Sequence, residues 1–232
     1  MTRAPPSLLT GPDYLMRLED QAAHPIDALM AQYASGQLSP ALHGLVAAHL
    51  AIKPDNRGFV DALEELNARE LEMTAPAPIR GRDSRLAAIF DAPVRPARAQ
   101  TQADPIIPAP LADFIGYRLD AVPWRTVLPG IREFHVPHAE KSGGEASLLW
   151  IKPGRIMPSH THDGTEVTLV LKGGFSDASG HYRRGDIAFA DSDIDHRPRA
   201  DEDEDCVCFA VTDAPLRLTG PFGRIMQRLF GH

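Results

Sequence analysis

A proline-rich segment divides this 232-residue chain into two parts with different hydrophobic periods. Seven of the 21 prolines fall within residues 75–110, on either side of a short helical stretch near SRLAAIF. A segment of this composition cannot bury a continuous core and is typical of a partly extended linker. We therefore predict two domains, residues 12–74 and residues 111–232, joined by a linker over residues 75–110.

The first part, residues 12–74, has the period of α-helices. Leu29 and Tyr33 share one face of the stretch DALMAQYASG. After a break at Gly36, further residues recur at helical spacing, namely Leu42, Leu45, Val46, His49 and Leu50. A third helix, which begins at Pro54, carries acidic residues on the face opposite its apolar ones. This part is predicted to be a small all-α domain.

The second part has the pattern of short β-strands. The runs SLLWIKP, EVTLVLKG, GDIAFAD and DCVCFAVTD are rich in β-branched and aromatic residues and are separated by Gly, Pro and Asp clusters. This arrangement is typical of an antiparallel sandwich or small barrel. The predicted fold class is therefore α+β and multidomain, with helices first and an antiparallel β-barrel second.

Charge and hydropathy narrow the classes of function. A net charge of −7 argues against direct nucleic-acid binding through bulk electrostatics. No apolar run approaches the roughly 20 residues that a membrane helix needs, and the N-terminus lacks the apolar core of a secretory signal. The two cysteines, Cys206 and Cys208, are poorly spaced for an unstrained disulfide, so a cytoplasmic location is expected.

Four side chains form a candidate metal site. His160 and His162 are two residues apart, so a strand would direct both to one face, and Glu166 follows after a short polar turn. His196 could supply the fourth ligand from an adjacent strand. Three imidazoles and one carboxylate suit one divalent metal, zinc first, with Fe, Mn or Ni as alternatives. The competing interpretation is that these are surface histidines paired by chance.

The spacing of these residues resembles the cupin motifs. The pattern Gly154-x5-His160-x-His162-x3-Glu166-x6-Gly173 fits the first cupin motif at every position, and a partial second motif runs from Gly185-Asp186 to His196. In the second motif, Asp191 and Asp193 replace the usual Pro and Gly, and Ala200 replaces the terminal Asn. The resemblance covers roughly residues 111–215 and implies a double-stranded β-helix. Because cupins carry many unrelated activities, it implies little about function.

The helical part resembles the N-terminal domain of ChrR-type anti-sigma factors, which join such a domain to a cupin. The resemblance lies in the stretch HPIDALMAQYASGQLSPALHGLVAAHLAIKPDN. That family has a zinc site of two histidines and two cysteines, to which His24, His49, Lys53 and Asn56 correspond here. Lys and Asn cannot replace the cysteines as zinc ligands, so the N-terminal zinc is expected to be absent.

The family resemblance implies a regulatory function. The chain would bind and inhibit an extracytoplasmic-function sigma factor, and a sigma-factor gene is expected beside its own. The partner-binding residues would be Leu29, Tyr33, Leu42, Leu45, Val46 and Leu50, shared with the domain's own core. The cupin would be a sensory or stabilising module that responds to oxidants of the singlet-oxygen type. Cys206 and Cys208 fall where that family has a late cysteine pair, and their thiols either approach the metal pocket or pack as small hydrophobic residues.

Two alternatives stay open from the sequence. A cupin with three histidines and one glutamate could be a metal-dependent dioxygenase or isomerase, with the helices serving for dimerisation, but no residue anchors a particular substrate. The chain could also be a metal-binding sensor whose partner is not a sigma factor, since the zinc cysteines are missing. A homodimer through the cupin is likewise left open.

Overall fold

The computed structural model describes residues 24–93, 104–137, 144–162, 164–190, 197–213 and 216–218, and of residues 160–162 and 216–218 it describes the backbone alone. The helices are α1 (Pro25–Ala34), α2 (Pro40–Ile52), α3 (Arg57–Met73), α4 (Arg82–Asp91) and α5 (Ala109–Ile115), with 3-10 turns at Pro54–Asn56 and Leu119–Ala121. The strands are β1 (Arg125–Leu128), β2 (Ile131–His135), β3 (Glu145–Ile151), β4 (His160–His162), β5 (Glu166–Lys172), β6 (Gly174–Ser176), β7 (His181–Arg183), β8 (Ile187–Ala190), β9 (Arg199–Ala200), β10 (Cys206–Thr212) and β11 (Leu216–Leu218). Helices come first and an antiparallel β-structure second, as the sequence predicts. None of the described helices is long and apolar enough to cross a membrane.

Helices α1, α2 and α3 form a compact group that we call the helical unit. Helix α2 begins where Pro40 occupies the first turn and the Ser39 hydroxyl accepts a hydrogen bond from the amide of Leu42 at 3.3 Å. The connection from α1 turns at Gly36, whose φ of 67° suits glycine. Helix α3 packs on α1 through Val60, and the side chain of Asn67 donates to the carbonyl of Ala34 at 3.2 Å.

The strands β1 to β11 form three antiparallel sheets, which together we call the β-domain. Six strands pair in the order β1-β2-β3-β10-β5-β8, three in the order β7-β6-β9, and β4 pairs with β11. The long strand β10 lies in the middle of the large sheet, where Cys208 is opposite Leu149 on β3 and Val170 on β5. Successive side chains on these strands point to opposite faces, so the large sheet has an outer and an inner face.

The outer face of the large sheet packs against the helices. Phe209, Leu169 and Leu148 of the sheet belong to the same buried cluster as Leu45 and Val46 of α2. The inner face contributes to a second cluster with residues of the smaller sheets, among them Phe175 and Ala200. The helical unit and the β-domain therefore share one hydrophobic core, which the pattern of periods alone did not indicate.

The predicted linker has two different parts. All described side chains of residues 75–93 are exposed, including those of α4, which covers the stretch near SRLAAIF. By contrast, Ile107 is fully buried, and one carboxylate oxygen of Asp104 accepts hydrogen bonds from the amides of Ile106 and Ile107, both at 2.8 Å. The other oxygen accepts from the amide of Leu119 at 2.9 Å. The domain boundaries themselves stay predictions.

Candidate functional site

The two histidines of the predicted metal site lie on the short strand β4. It pairs antiparallel with β11, so that His160 is opposite Leu218 and His162 is opposite Leu216. Alternate residues of a strand share a face, which is the relation that two ligands of one cation need. His196, the third histidine of the predicted set, lies outside the described residues.

Glu166 opens strand β5 and belongs to the inner face of the large sheet. It is half-buried and accepts a hydrogen bond from the hydroxyl of Thr168 at 3.0 Å, and Val170 continues the same face. The start of β5 is fixed because Asp213, at the end of β10, accepts a hydrogen bond from the amide of Thr165 at 2.6 Å. Among the described residues no three potential ligands form a metal-binding group. The four-ligand site therefore stays a prediction, and of its members the structure describes the side chain of Glu166 alone.

Cys206 and Cys208 lie side by side on the inner face of β10. Both are buried, and their sulfur atoms are 3.5 Å apart. The hydrogen bond between the thiols, burial, and the carboxylate of Glu166 all raise the pKa of Cys208 well above its ordinary value of 9.0. These contacts favour the protonated form of the thiol, which is a weak nucleophile. Whether the pair oxidises stays a prediction.

The four positions that correspond to the family's N-terminal zinc site are engaged in hydrogen bonds. His24 is exposed at the start of α1, where its Nδ1 accepts a hydrogen bond from the amide of Ile26 at 3.4 Å. His49 is only 2% exposed, and its Nδ1 donates to the carbonyl oxygen of Gly185 at 2.7 Å. Its Nε2 then accepts a hydrogen bond from the side-chain amide of Asn56 at 3.1 Å. Both ring nitrogens of His49 are thus satisfied within the chain.

Lys53, at the first cysteine position, forms an ion pair with the β-domain. Its Nζ lies 2.9 Å from Oδ1 of Asp186, and Oδ2 of Asp186 accepts a hydrogen bond from the amide of Arg183 at 2.9 Å. The ion pair raises the pKa of Lys53. Burial raises the pKa of Asp186, but its hydrogen bonds to Arg183 and Lys53 outweigh burial and leave it lowered.

Burial raises the pKa of a carboxylic acid such as Asp186 but lowers the pKa of the imidazole of His49. Removal of the ring from water lowers its pKa below 6.5, and the nearby Lys53 ammonium acts in the same direction. The hydrogen bond to Gly185 and the carboxylates of Asp186 and Asp55 oppose this shift and do not overcome it. His49 is therefore neutral at physiological pH. A cleft of about 490 Å³ lies between the helical unit and the β-domain, and its polar lining residues are His49, Lys53, Asp55, Asn56, His181, Tyr182 and Asp186.

Sequence reasoning missed these contacts. The sequence identifies Gly185-Asp186 only as the start of a cupin motif, whereas in the structure Gly185 contacts His49 and Asp186 contacts Lys53 at the end of α2. The neighbouring Arg184 donates to the carbonyls of Pro105 and Ile106 at 3.2 Å and also to the carbonyl of Leu171. Partners so far apart in sequence leave no local signal that could have identified them.

The predicted partner-binding residues are placed mainly in the core. Leu29, Leu45, Val46 and Leu50 are at most 6% exposed. The other two, Tyr33 and Leu42, are partly buried against the same cluster. A partner that meets this conformation cannot contact the four buried residues, because their side chains already pack against the molecule's own interior. Their role in partner binding stays a prediction, but it would require the helices to separate.

A different apolar surface is exposed on α3 and α4. Phe59, Leu66 and Met73 are seven residues apart on α3, so they follow one side of the helix, and they are 44%, 58% and 83% exposed. We call this row the apolar stripe. On α4, Leu86, Ile89 and Phe90 recur at helical spacing and are 40%, 69% and 79% exposed. Exposed apolar side chains grouped on one side of a helix are candidates for an interaction surface.

Comparisons with known proteins identify what this chain is similar to. A family model described as the ChrR cupin-like domain matches residues 113–215. The anti-sigma-E factor ChrR of Cereibacter sphaeroides is 42% identical over an alignment of 211 residues, which covers 89% of this chain and 97% of that protein. A chain in the crystal structure of Rhodobacter sphaeroides SigE in complex with the anti-sigma ChrR matches with a TM-score of 0.67 and 38% identity, covering 81% of this chain and 96% of its own. These matches confirm the cupin-like fold of the β-domain and the helical N-terminal part.

Proposed function

This chain belongs to the family of the anti-sigma factor ChrR, and from that membership we propose that it binds and inhibits an extracytoplasmic-function sigma factor. The family is one of regulators, so the chain is a regulatory protein and not an enzyme. The observation that carries the proposal is the likeness, over 81% of the chain, to a structure of an anti-sigma factor bound to its sigma factor.

The exposed apolar residues of α3 and α4 supply a surface for this partner. A helix of ten residues is marginal alone in water, and the described side chains of α4 are all exposed. Covering α4 and the apolar stripe with a partner would remove this apolar area from water and stabilise both helices. Helix α3 also carries five acidic and two basic residues, which complements the basic surface that a DNA-binding partner needs.

The β-domain would act as the sensory or stabilising module. His160, His162, Glu166 and His196 would hold one divalent cation, zinc first, and the alternation on β4 and the inward position of Glu166 support this set. Such a cation would cross-link segments that are distant in sequence and lower the pKa of groups beside it. The signal would be an oxidant of the singlet-oxygen type, and Cys206 and Cys208, on the same inner face of the large sheet as Glu166, are the candidate groups for its reaction.

Co-expression with the sigma factor encoded beside this chain tests the proposal. We expect a stable one-to-one complex that survives size-exclusion chromatography under reducing, metal-replete conditions. The double variant Leu66→Asp with Met73→Asp should abolish the complex, because it places two charges in the apolar stripe. The control is Ile156→Asp, which alters a 37% exposed apolar residue of the β-domain and should leave the complex intact. Failure of the unmodified chain to bind would contradict the proposal.

A further inference from the structure

The end of helix α2 approaches the turn between β7 and β8 more closely than any side chain at position 185 would allow. Gly185 has a φ of +90°, and a Cβ on this residue would lie 2.9 Å from Cγ2 of Ile52 and 3.3 Å from Cβ of Lys53. Real Cβ atoms avoid contacts this short, and a positive φ is strained for other residues. The glycine therefore permits direct contact between the helical unit and the β-domain.

Three polar contacts close this junction. His49 donates to the carbonyl of Gly185, Asn56 donates to His49, and Lys53 forms an ion pair with Asp186. We call this set of contacts the clasp. It uses three of the four positions that correspond to the family's N-terminal zinc ligands, and each of these three side chains contacts either the β-domain or a residue that does.

The helical unit is small for an independent hydrophobic core. It comprises about 50 residues, a size at which a single core is marginal without a metal, a disulfide or a further packing surface. Helix α2 is buried against α5 and the outer face of the large sheet, where Gly44 lies against Phe114 and Phe114 contacts Phe209 edge-to-face. The β-domain therefore supplies much of the surface on which the helical unit is folded.

We propose that the clasp takes the place of a bound metal in fixing the helical unit, so that the β-domain directly controls the conformation that binds the sigma factor. A disturbance of the β-domain that displaces the turn at Gly185 and Asp186 would remove the partners of His49 and Lys53 together. The helices would then lose their anchoring, and the sigma factor would be released. This regulatory consequence rests on the proposed function, whereas the structural role of the clasp does not.

The competing view is that these contacts are incidental. Exposed ion pairs often contribute little to stability, and the side chains of Lys53 and Asp186 are 48% and 31% exposed. The chain offers a matched comparison, because Lys152 and Asp205 form a similar ion pair within the β-domain at 3.1 Å with exposures of 53% and 18%. If both pairs were incidental, removing either would leave the helices equally unaffected.

Hydrogen exchange of the full-length chain, followed by mass spectrometry over Pro40–Ile52, tests the clasp. We expect Lys53→Met and Asp186→Asn each to accelerate exchange in α2 by about two- to fivefold, because opening of the helix becomes easier. Asp186→Asn retains an oxygen that can accept the Arg183 amide, so the turn itself is preserved. The double variant should exchange no faster than the single variants, since both remove the same interaction. Lys152→Met should exchange like the unmodified chain in this region.

A stronger variant, His49→Phe, removes both ring hydrogen bonds and leaves the Gly185 carbonyl buried without its donor. Exchange in α2 should then rise by about 10- to 100-fold. If this variant fails to fold, Lys53→Met and Asp186→Asn still decide the question. Unchanged exchange in α2 for both of these, or an equal acceleration in Lys152→Met, would overturn the clasp.

The dissociation constant of the adjacent sigma factor, measured with the same variants, tests the regulatory consequence. It should rise by a factor comparable to the acceleration of exchange, because binding requires the anchored helices. Accelerated exchange with an unchanged dissociation constant would overturn control by the β-domain. If the unmodified chain binds no sigma factor while the exchange results hold, the proposed function fails and the structural role of the clasp stands.

Discussion

Truncation of Phe90 on α4 gives a prediction whose size follows from the structure. Its side chain is 79% exposed. Complete burial of a phenylalanine side chain contributes about 1.5–3 kcal/mol, so covering the exposed part would contribute about 1.2–2.4 kcal/mol. A tenfold change in affinity corresponds to about 1.4 kcal/mol. Phe90→Ala should therefore raise the dissociation constant of the sigma-factor complex by about 7- to 50-fold.

Isothermal titration calorimetry measures this change, and thermal unfolding of the free chain accompanies it. The melting temperature of Phe90→Ala should equal that of the unmodified chain, because nothing described in the fold covers this ring. Leu45→Ala provides the opposite case. Leu45 is fully buried, so its truncation should cost about 2–5 kcal/mol of the free energy of unfolding.

An unaltered dissociation constant for Phe90→Ala would refute the assignment of α4 to the interface. A lowered melting temperature with unaltered affinity would show that the ring packs within the chain. Ile156→Ala on the β-domain serves as the control for an exposed apolar residue and should change the affinity by less than about twofold.

Three further predictions concern the metal, the pH and the junction. Elemental analysis should find about one metal per chain and none in the double variant His160→Ala with His162→Ala; two metals per chain would contradict an empty N-terminal site. Burial lowers the pKa of His49 below 6.5, so the folded chain binds fewer protons at this residue than the unfolded chain does. The free energy of unfolding should therefore fall as the pH drops below 6.5, by up to about 1.4 kcal/mol per pH unit. Urea titrations at pH 7.5 and 5.5 should show a smaller fall in His49→Gln, and an equal fall would exclude His49 as the cause. Gly185→Ala should lower the free energy of unfolding, measured by thermal or urea unfolding, by about 2–4 kcal/mol. Gly116→Ala should lower it by only about 1–2 kcal/mol, because Gly116 has a φ of +81° but open space around it. Equal losses in the two variants would show that contact with α2 contributes nothing to stability.

Sequence periodicity predicts much of this fold because each period reflects one local geometry. The helical spacing of Leu42, Leu45 and Val46 predicts α2, and the β-rich run EVTLVLKG predicts the strand β5, whose residues 167–171 are all buried. The same spacing cannot distinguish burial in the chain's own core from burial under a partner. For that reason the sequence predicts Leu45 and Val46 as shared between the core and a partner, whereas in the structure both side chains are fully buried in the core.

The candidate site is less accessible to sequence reasoning because it depends on distant pairs. The correspondence of Lys53 and Asn56 with zinc cysteines predicts a missing metal, but not what the two side chains contact instead. The partners of Lys53 and His49 lie 133 and 136 residues away, across the segment that was predicted to separate two domains. The burial of Ile107 within that segment was missed for the same reason, since its neighbours come from other parts of the chain.

Transcription in vitro tests the anti-sigma function most directly. The purified, metal-replete chain is titrated into RNA polymerase core enzyme with the adjacent sigma factor and a promoter that this sigma factor recognises. Transcription should fall in proportion to added chain and end near one equivalent per sigma factor, while the double variant Leu66→Asp with Met73→Asp should leave it unchanged. Undiminished transcription at a large excess of the unmodified chain would contradict inhibition of this sigma factor.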